Sequence, residues 1–322
     1  MQALRNLAVG IAAATISCAA HAQTLGVITT PPGSFSNSIS SAIAKVLVEK
    51  AGLQARVQPQ ASSPGVTVAA GTGDFSMVNT FDAKFIVTGT GEYESEGAKP
   101  DLRLIANIVP LLNGFYTRRD SQIRTIHDVK GRRVAGGFTA QKTLERIMRA
   151  HLANGGFTFD DVNPVLAPNV VAAANDFGAG KSDAFIFAFG AAKVKEVSAK
   201  VGGLRVISMD PAPAAIARAE KIMPGGYTVA VKPGPNVEGV ESETQVLAFD
   251  FILCTNSKVA EDVVYKATKA VHENKAMLAA TFAPLRGFDP AKMARAYPEP
   301  LAYHPGAVKF YREAGTWPPK RQ

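Results

Sequence analysis

Apolar and polar positions along this chain change period repeatedly, and each change predicts an element. Thr24–Thr29, Arg56–Gln60 and Phe75–Asn79 read as strands. Between the first two, Ser36–Glu49 sets Ile39, Ile43, Val46 and Leu47 on one face, the spacing of an amphipathic helix. A turn-rich stretch with a short helix precedes the third strand. Phe81–Thr88 looks helical and ends at Gly89-Thr90-Gly91. Leu102–Val109 is apolar and extended, and Pro110 and Gly114 then mark a change of direction.

A second run of units follows. Gly114–Arg118 and Arg133–Gly136 read as strands. Thr139 is a plausible N-cap for a helix over Ala140–Ala153, with Leu144, Ile147, Met148 and Leu152 sharing a face. Val162–Leu166, Ala184–Phe187 and Leu204–Ser208 continue the strands, with helices between. A second change comes near Gly225-Gly226, before the loop Pro233–Glu243. Val246–Cys254 is a long apolar strand, Ala260–Glu273 a helix, and the tail is helical and broken by prolines. This alternation predicts an α/β protein with largely parallel sheets. The two direction changes suggest a discontinuous first lobe, residues 23–108 and 226–322, and a second lobe, residues 109–225.

The N-terminus sets the expected compartment. Arg5 is the one charged residue before an apolar run from Leu7 to Ile16, and Ala20-His21-Ala22 follows. That order reads as a signal peptide over residues 1–22, cleaved to send the chain to the periplasm. The run is shorter than the roughly 20 residues of a membrane span. Cys18 falls inside it, so the remaining Cys254 makes no internal disulfide and the core must hold the fold. The formal charge of +8 could favour an anionic ligand. Lys and Arg are scattered without aromatic interleaving, which argues against a nucleic-acid partner.

Motifs of catalysis are missing. No G-x-S-x-G elbow occurs, and His272-Glu273 is followed by Ala276 where a zinc-binding H-E-x-x-H needs histidine. Gly180-Lys181-Ser182 has Asn175 in place of the P-loop's first glycine, and Gly89-Thr90-Gly91 meets Glu94 where a dinucleotide fingerprint needs its third. Neither an enzyme nor a cofactor is expected. A secreted enzyme with an unusual site is the least favoured alternative.

Three loops follow strands and precede helices, where open α/β sheets bind ligands. Thr30–Asn37 offers Ser34, Phe35 and Asn37. Ala61–Gly65 offers Ser62 and Ser63. Gly136–Gln141 offers Gly137, Phe138, Thr139 and Gln141, with Lys142 beside it as a full charge. Ordinary connections also favour Gly, Ser and Thr, so the joint placement on both lobes carries the reading. Helix N-termini there would supply free N–H donors and partial positive charge to a carboxylate. Asn79 closes the third strand near the same end. Arg103 and Arg118 are further candidates for a carboxylate clamp, and Phe115, Tyr116, Phe187 and Phe189 for an apolar wall.

Several segments carry a family resemblance. Tyr303–Glu313 resembles a closing H-P-G-A-x-x-Y-Y-x-E segment, Val263–Ala270 a V-V-Y-x-x-T-K-A helix, Ile126–Val134 a D-L-K-G-K-x-V lead, and Lys181–Phe185 a G-x-x-D-A-F turn. Together they resemble the TAXI family of TRAP transporter solute receptors, over about Leu25 to Trp317. The resemblance implies a type II periplasmic-binding fold, two lobes with a hinge and a central cleft, and no catalysis. It also implies delivery of carboxylate-bearing amino or oxo acids to TRAP membrane subunits, fused or paired. Ser36-Asn37 and Thr139-Ala140-Gln141-Lys142 stand where many members carry a tyrosine pair and G-S-G-T, which leaves the ligand open. His304 reads as structural or transporter-facing. A periplasmic sensor docking on a membrane kinase is the alternative role.

Overall fold

The computed structural model describes residues 24–319, so the expected signal peptide, residues 1–22, lies outside it. The chain opens with β1 (Leu25–Thr29), α1 (Phe35–Ala51), β2 (Ala55–Pro59), α2 (Pro64–Ala69), β3 (Phe75–Asn79) and α3 (Thr80–Thr88). Ile39, Ile43, Val46 and Leu47 of α1 are fully buried, as their spacing predicts. Each contributes about 1.5–3 kcal/mol by leaving water. β2, β1 and β3 lie side by side and parallel.

β4 (Leu102–Arg118) leads into a second group: β5 (Arg133–Gly136), α4 (Thr143–Asn154), β6 (Asn163–Leu166), α5 (Val170–Gly178), β7 (Ala184–Ala188), α6 (Ala192–Val201), β8 (Leu204–Ile207) and α7 (Pro213–Ile222). β9 (Tyr227–Val231), β10 (Thr244–Asn256), α8 (Glu261–Glu273), α9 (Lys275–Thr281) and α10 (Pro305–Glu313) complete the chain. The strand order is β2-β1-β3-β10-β4-β7-β5-β6, with β8 also on β4 and β9 on β10.

Two long antiparallel strands join the halves. β4 and β10 pair from Leu102 opposite Asn256 to Asn113 opposite Leu247. β3 borders β10 over residues 251–255, while β7 and β8 border the far end of β4. The expected break at Pro110 is therefore not a break. Pro110 sits inside β4, exposed and opposite Asp250, where the missing N–H costs no ladder bond that the strand cannot spare. The register shifts between Phe251 and Ile252, which marks a local irregularity at the crossing.

Two other expectations change. α4 begins at Thr143 instead of Ala140. The N–H groups of Ala140 and Gln141 donate to the Pro168 carbonyl at 3.1 and 3.0 Å, which ties this stretch to the neighbouring loop and keeps it out of the helix. Thr139 is exposed and caps nothing. The chain past Gly226 forms β9, whose partner is the first part of β10, Thr244–Ala248.

The C-terminal segment docks as a unit. The buried His304 caps α10, its Nδ1 accepting the Gly306 N–H at 3.1 Å, while its own N–H reaches the Leu104 carbonyl at 2.9 Å. Of its two readings, burial leaves the structural one. A Cβ on Gly306 would stand 2.3 Å from the Glu261 carbonyl oxygen, so only glycine lets α10 approach α8 this closely. The Cys254 thiol is buried in β10, and that burial pushes its pKa up and keeps it unreactive. Among the described residues no helix is long and apolar enough to cross a membrane.

Candidate functional site

The loops after β1 and β2 and the end of β3 face α4, β7 and the start of α5 across a cleft. On one wall Ser34 caps α1. Its Oγ accepts the Asn37 N–H at 3.1 Å and lies 2.7 Å from the Thr30 hydroxyl. The first-turn N–H groups of α1, at Phe35 and Ser36, have no partner inside the helix and open beside the cleft. Ser63 and Gly65 follow at the start of α2. A Cβ on Gly65 would come 2.8 Å from Ile86 and 3.0 Å from Val78, so glycine lets α2 sit down on β3. Asn79 and Asp82, at the β3–α3 junction, complete this wall.

The other wall carries Gln141, Thr143 and Ile147 from the start of α4, with Val170 and Phe187. Gln141 Oε1 accepts the Val170 N–H at 3.4 Å, a weak tie between two helix starts. Leu111 and Asn113 of β4 and Phe249 and Phe251 of β10 form the floor where the long strands cross. Phe251 meets Phe35 at 6.0 Å between ring centroids, and Phe249 meets Phe81 edge-on at 5.2 Å.

Asn113 is held from behind. Its Oδ1 lies 2.9 Å from His151 Nε2, so the ring nitrogen donates. Burial drives the His151 pKa down to about 3, which keeps the ring neutral. Asp82 is pushed the other way, up to about 7. Burial is the main cause and the Glu92 charge adds to it; hydrogen bonding from Tyr93 and Thr143 and the Arg146 charge oppose it.

The two walls touch outside the cleft. Arg146 Nε stands 2.8 Å from Glu92, Lys142 Nζ 2.9 Å from Glu96, and the Lys193 N–H donates to the Gly33 carbonyl at 3.2 Å.

Of the residues proposed from sequence, Ser34, Phe35, Ser63, Asn79, Gln141 and Phe187 line this cleft together. The others do not. Asn37, in the first turn of α1, gives its N–H to the Ser34 cap and its backbone carbonyl accepts from Ser41 Oγ. Ser62 is exposed in a recess at the rim with Lys142, whose ammonium pairs with Glu96. Gly137 has φ +78° and gives its N–H to Glu145, Phe138 is buried in the core, and Thr139 is exposed. Phe115 packs behind the wall on His151 and Phe189 on Tyr116. Arg103 reaches the Pro100 and Leu102 carbonyls, and Arg118 pairs with Asp120.

Sequence reasoning missed Asp82, Asn113, Thr143, Phe249 and Phe251. Asn113 carried a signal, as a polar residue inside the apolar run Leu111-Leu112-Asn113. Asp82 and Thr143 stand in first helical turns, where carboxylates and hydroxyls are ordinary. Among the described residues no three His, Cys, Asp or Glu side chains are placed to hold a metal ion.

The fold is similar to that of a known structure. A structure described as a periplasmic transporter matches 80% of this chain and 86% of its own at 12% identity, with a TM-score of 0.55. The likeness supports the expected two-lobed α/β fold of periplasmic binding proteins. An amino-acid transporter substrate-binding protein of Streptococcus pneumoniae, bound to L-arginine, matches 81% of this chain and 94% of its own at 14% identity and TM-score 0.49. The alkanesulfonate-binding protein of Xanthomonas axonopodis pv. citri, bound to MOPS, matches 90% of each chain at 13% identity and TM-score 0.48. A family profile matches residues 29–315, nearly the whole described chain, and by that match this protein belongs to the NMT1-like family.

Proposed function

We propose that this protein is an exported solute receptor that closes two lobes on a small organic acid and presents it to TRAP-type membrane subunits. The observation that carries the reading is the cleft itself, whose polar lining comes from both walls and whose floor is the pair of crossing strands. Such a layout suits hinge closure, in which a ligand touching both walls stabilises the closed form. The resemblance of Tyr303–Glu313 and Val263–Ala270 to the TAXI receptors supports the TRAP partner, and the leader-like residues 1–22 support the periplasm.

The cleft lining includes no Lys or Arg. A carboxylate would therefore rest on the N-terminal turn of α1, against the Phe35 and Ser36 N–H groups and the Ser34 hydroxyl. Strand pairing supports one division into lobes. Lobe I takes residues 24–109 and the chain from about Asp250 onward; lobe II takes the rest. The pairing of β9 with Thr244–Ala248, the part of β10 that faces Leu112 and Asn113, supports placing the return at the β10 crossing in this reading.

Thermal unfolding of the purified protein against a panel of carboxylic acids tests the ligand class. At least one acid raises the melting temperature, since anything bound to the folded state alone stabilises it. A panel in which no acid does so contradicts the acid assignment. Uptake of that acid by vesicles holding TRAP subunits, only when the receptor is added, tests the partner.

A further inference from the structure

Three buried oxygens in the cleft have no hydrogen-bond partner: Asn79 Oδ1, Asp82 Oδ1 and Thr143 Oγ1. The three side chains are at least nine-tenths buried, with 8%, 5% and 5% of their surface exposed. They come from β3, α3 and α4, so both walls contribute. Native proteins rarely leave such groups orphaned, because each unpaired group carries its full desolvation penalty.

The Tyr93 and Thr143 hydroxyls act on Asp82 and partly offset its burial, but neither closes a hydrogen bond to Oδ1. Arg146 is the cation whose charge acts on Asp82, and it is already engaged. Its Nε contacts both Glu92 oxygens at 2.8 and 3.0 Å, its Nη1 reaches the Ile222 carbonyl at 2.6 Å, and its guanidinium lies 4.4 Å over the Phe85 ring. The Tyr93 hydroxyl, packed on the same side, donates to Ser63 Oγ at 2.9 Å. Glu92 adds negative charge, and His151 on the α4 side is neutral and donates to Asn113. The other polar side chains of the lining, Ser36, Asn113 and Gln141 among them, make no hydrogen bond to the three oxygens.

We propose that Asp82, with Asn79 and Thr143, forms an acceptor subsite that requires a hydrogen-bond donor on the ligand and rejects a second carboxylate. This inference rests on the acid-receptor reading above and deepens it. The ligand's carboxylate lies at α1, and a hydroxyl or amino group on the same molecule faces Asp82. Burial and Glu92 already resist ionisation of the Asp82 carboxyl, so a dicarboxylate would bring a further negative charge where one is hard to hold. A donor instead satisfies the orphaned oxygens, and a site built that way discriminates strongly against analogues lacking it.

The test is a matched series of acids differing at one group. Propionate, butyrate and valerate are compared with their hydroxy, amino and carboxy derivatives, substituted at the 2-position or the far end, by titration calorimetry. The hydroxy or amino member of one set is expected to bind about tenfold or more tightly than its unsubstituted and carboxylate counterparts. Asp82→Asn, nearly isosteric, should narrow that gap and admit the dicarboxylate; Thr143→Val should weaken only the donor-bearing acid. Acids that bind equally whatever the second group, or an unchanged order in both variants, would overturn the subsite while leaving the receptor reading intact. Binding of no acid at all would instead remove the acid reading, and the subsite with it.

Discussion

Arg146 and Glu92 meet at 2.8 Å across the mouth of the cleft, each with no more than a fifth of its side chain exposed. The pair joins α4 to the turn after α3, and so joins the two walls. The arginine also stacks on Phe85, so the contact is packed as well as charged. Exposed pairs contribute little, but a half-desolvated, multiply bonded one can hold a closed form.

A double-mutant cycle of Glu92→Gln and Arg146→Met, followed by denaturant unfolding, should give a coupling of about 1–2 kcal/mol. Strictly additive losses would show that the walls are apart in solution.

Asp82 should make stability depend on pH in a defined direction. Its pKa is near 7 in the fold against an ordinary 3.8. The unfolded chain therefore binds fewer protons than the native one between those values, and the Asp82 contribution falls as pH rises from about 3.8 to about 7. His151 works the opposite way. Its folded pKa of about 3 against 6.5 gives stability that is present above 6.5 and lost as pH falls toward 3. Because the windows overlap, the clean observable is a difference. The stability of wild type minus Asp82→Asn should decline over pH 4 to 7 in chemical denaturation. A flat difference would mean that Asp82 titrates as in water.

The crossing strands hold a second network. Asp250, buried and opposite Pro110, lies 2.8 Å from Arg295 and accepts from the Tyr227 and Tyr297 hydroxyls at 3.2 and 3.1 Å. Asp250→Ala removes one acceptor shared by three donors. Arg295 remains a third exposed and can turn to water, which limits the loss to about 2–3 kcal/mol. Asp250→Asn should recover part of it. A change below about 0.5 kcal/mol, the usual range for a surface substitution, would contradict the network.

Thr139 and Gln141 were candidates of equal standing in the sequence, and the structure separates them. Gln141 lines the cleft, while Thr139 faces solvent. Gln141→Ala should weaken binding of any acid that raises the melting temperature, by about tenfold for one lost hydrogen bond. Thr139→Ala should leave both affinity and stability unchanged. The reverse result in calorimetry would place the third loop differently.

What the sequence shows and hides follows from range. The amphipathic faces of α1 and α4 and the runs of β1, β3 and β10 are local, so periodicity finds them. The sites after β1 and β2 are legible because helix starts following strands have recognisable chemistry, as at Ser34 and Ser63. Pro110 misled because a proline on an exposed position of a long strand has the same local signature as a turn. The helix start expected at Ala140 misled because the Ala140 and Gln141 N–H groups bond to Pro168, a partner far along the chain. Asp82 and Thr143 were invisible for a related reason: an ordinary first-turn residue becomes unusual only when a second wall buries it.

Small-angle X-ray scattering of the purified protein, alone and with a saturating acid chosen by thermal shift, tests the closure mechanism most directly. The account predicts that the acid reduces the radius of gyration, and that Arg146→Met lessens the reduction at equal acid concentration. An acid that binds tightly and leaves the scattering curve unchanged in both proteins would contradict capture by closure of two lobes.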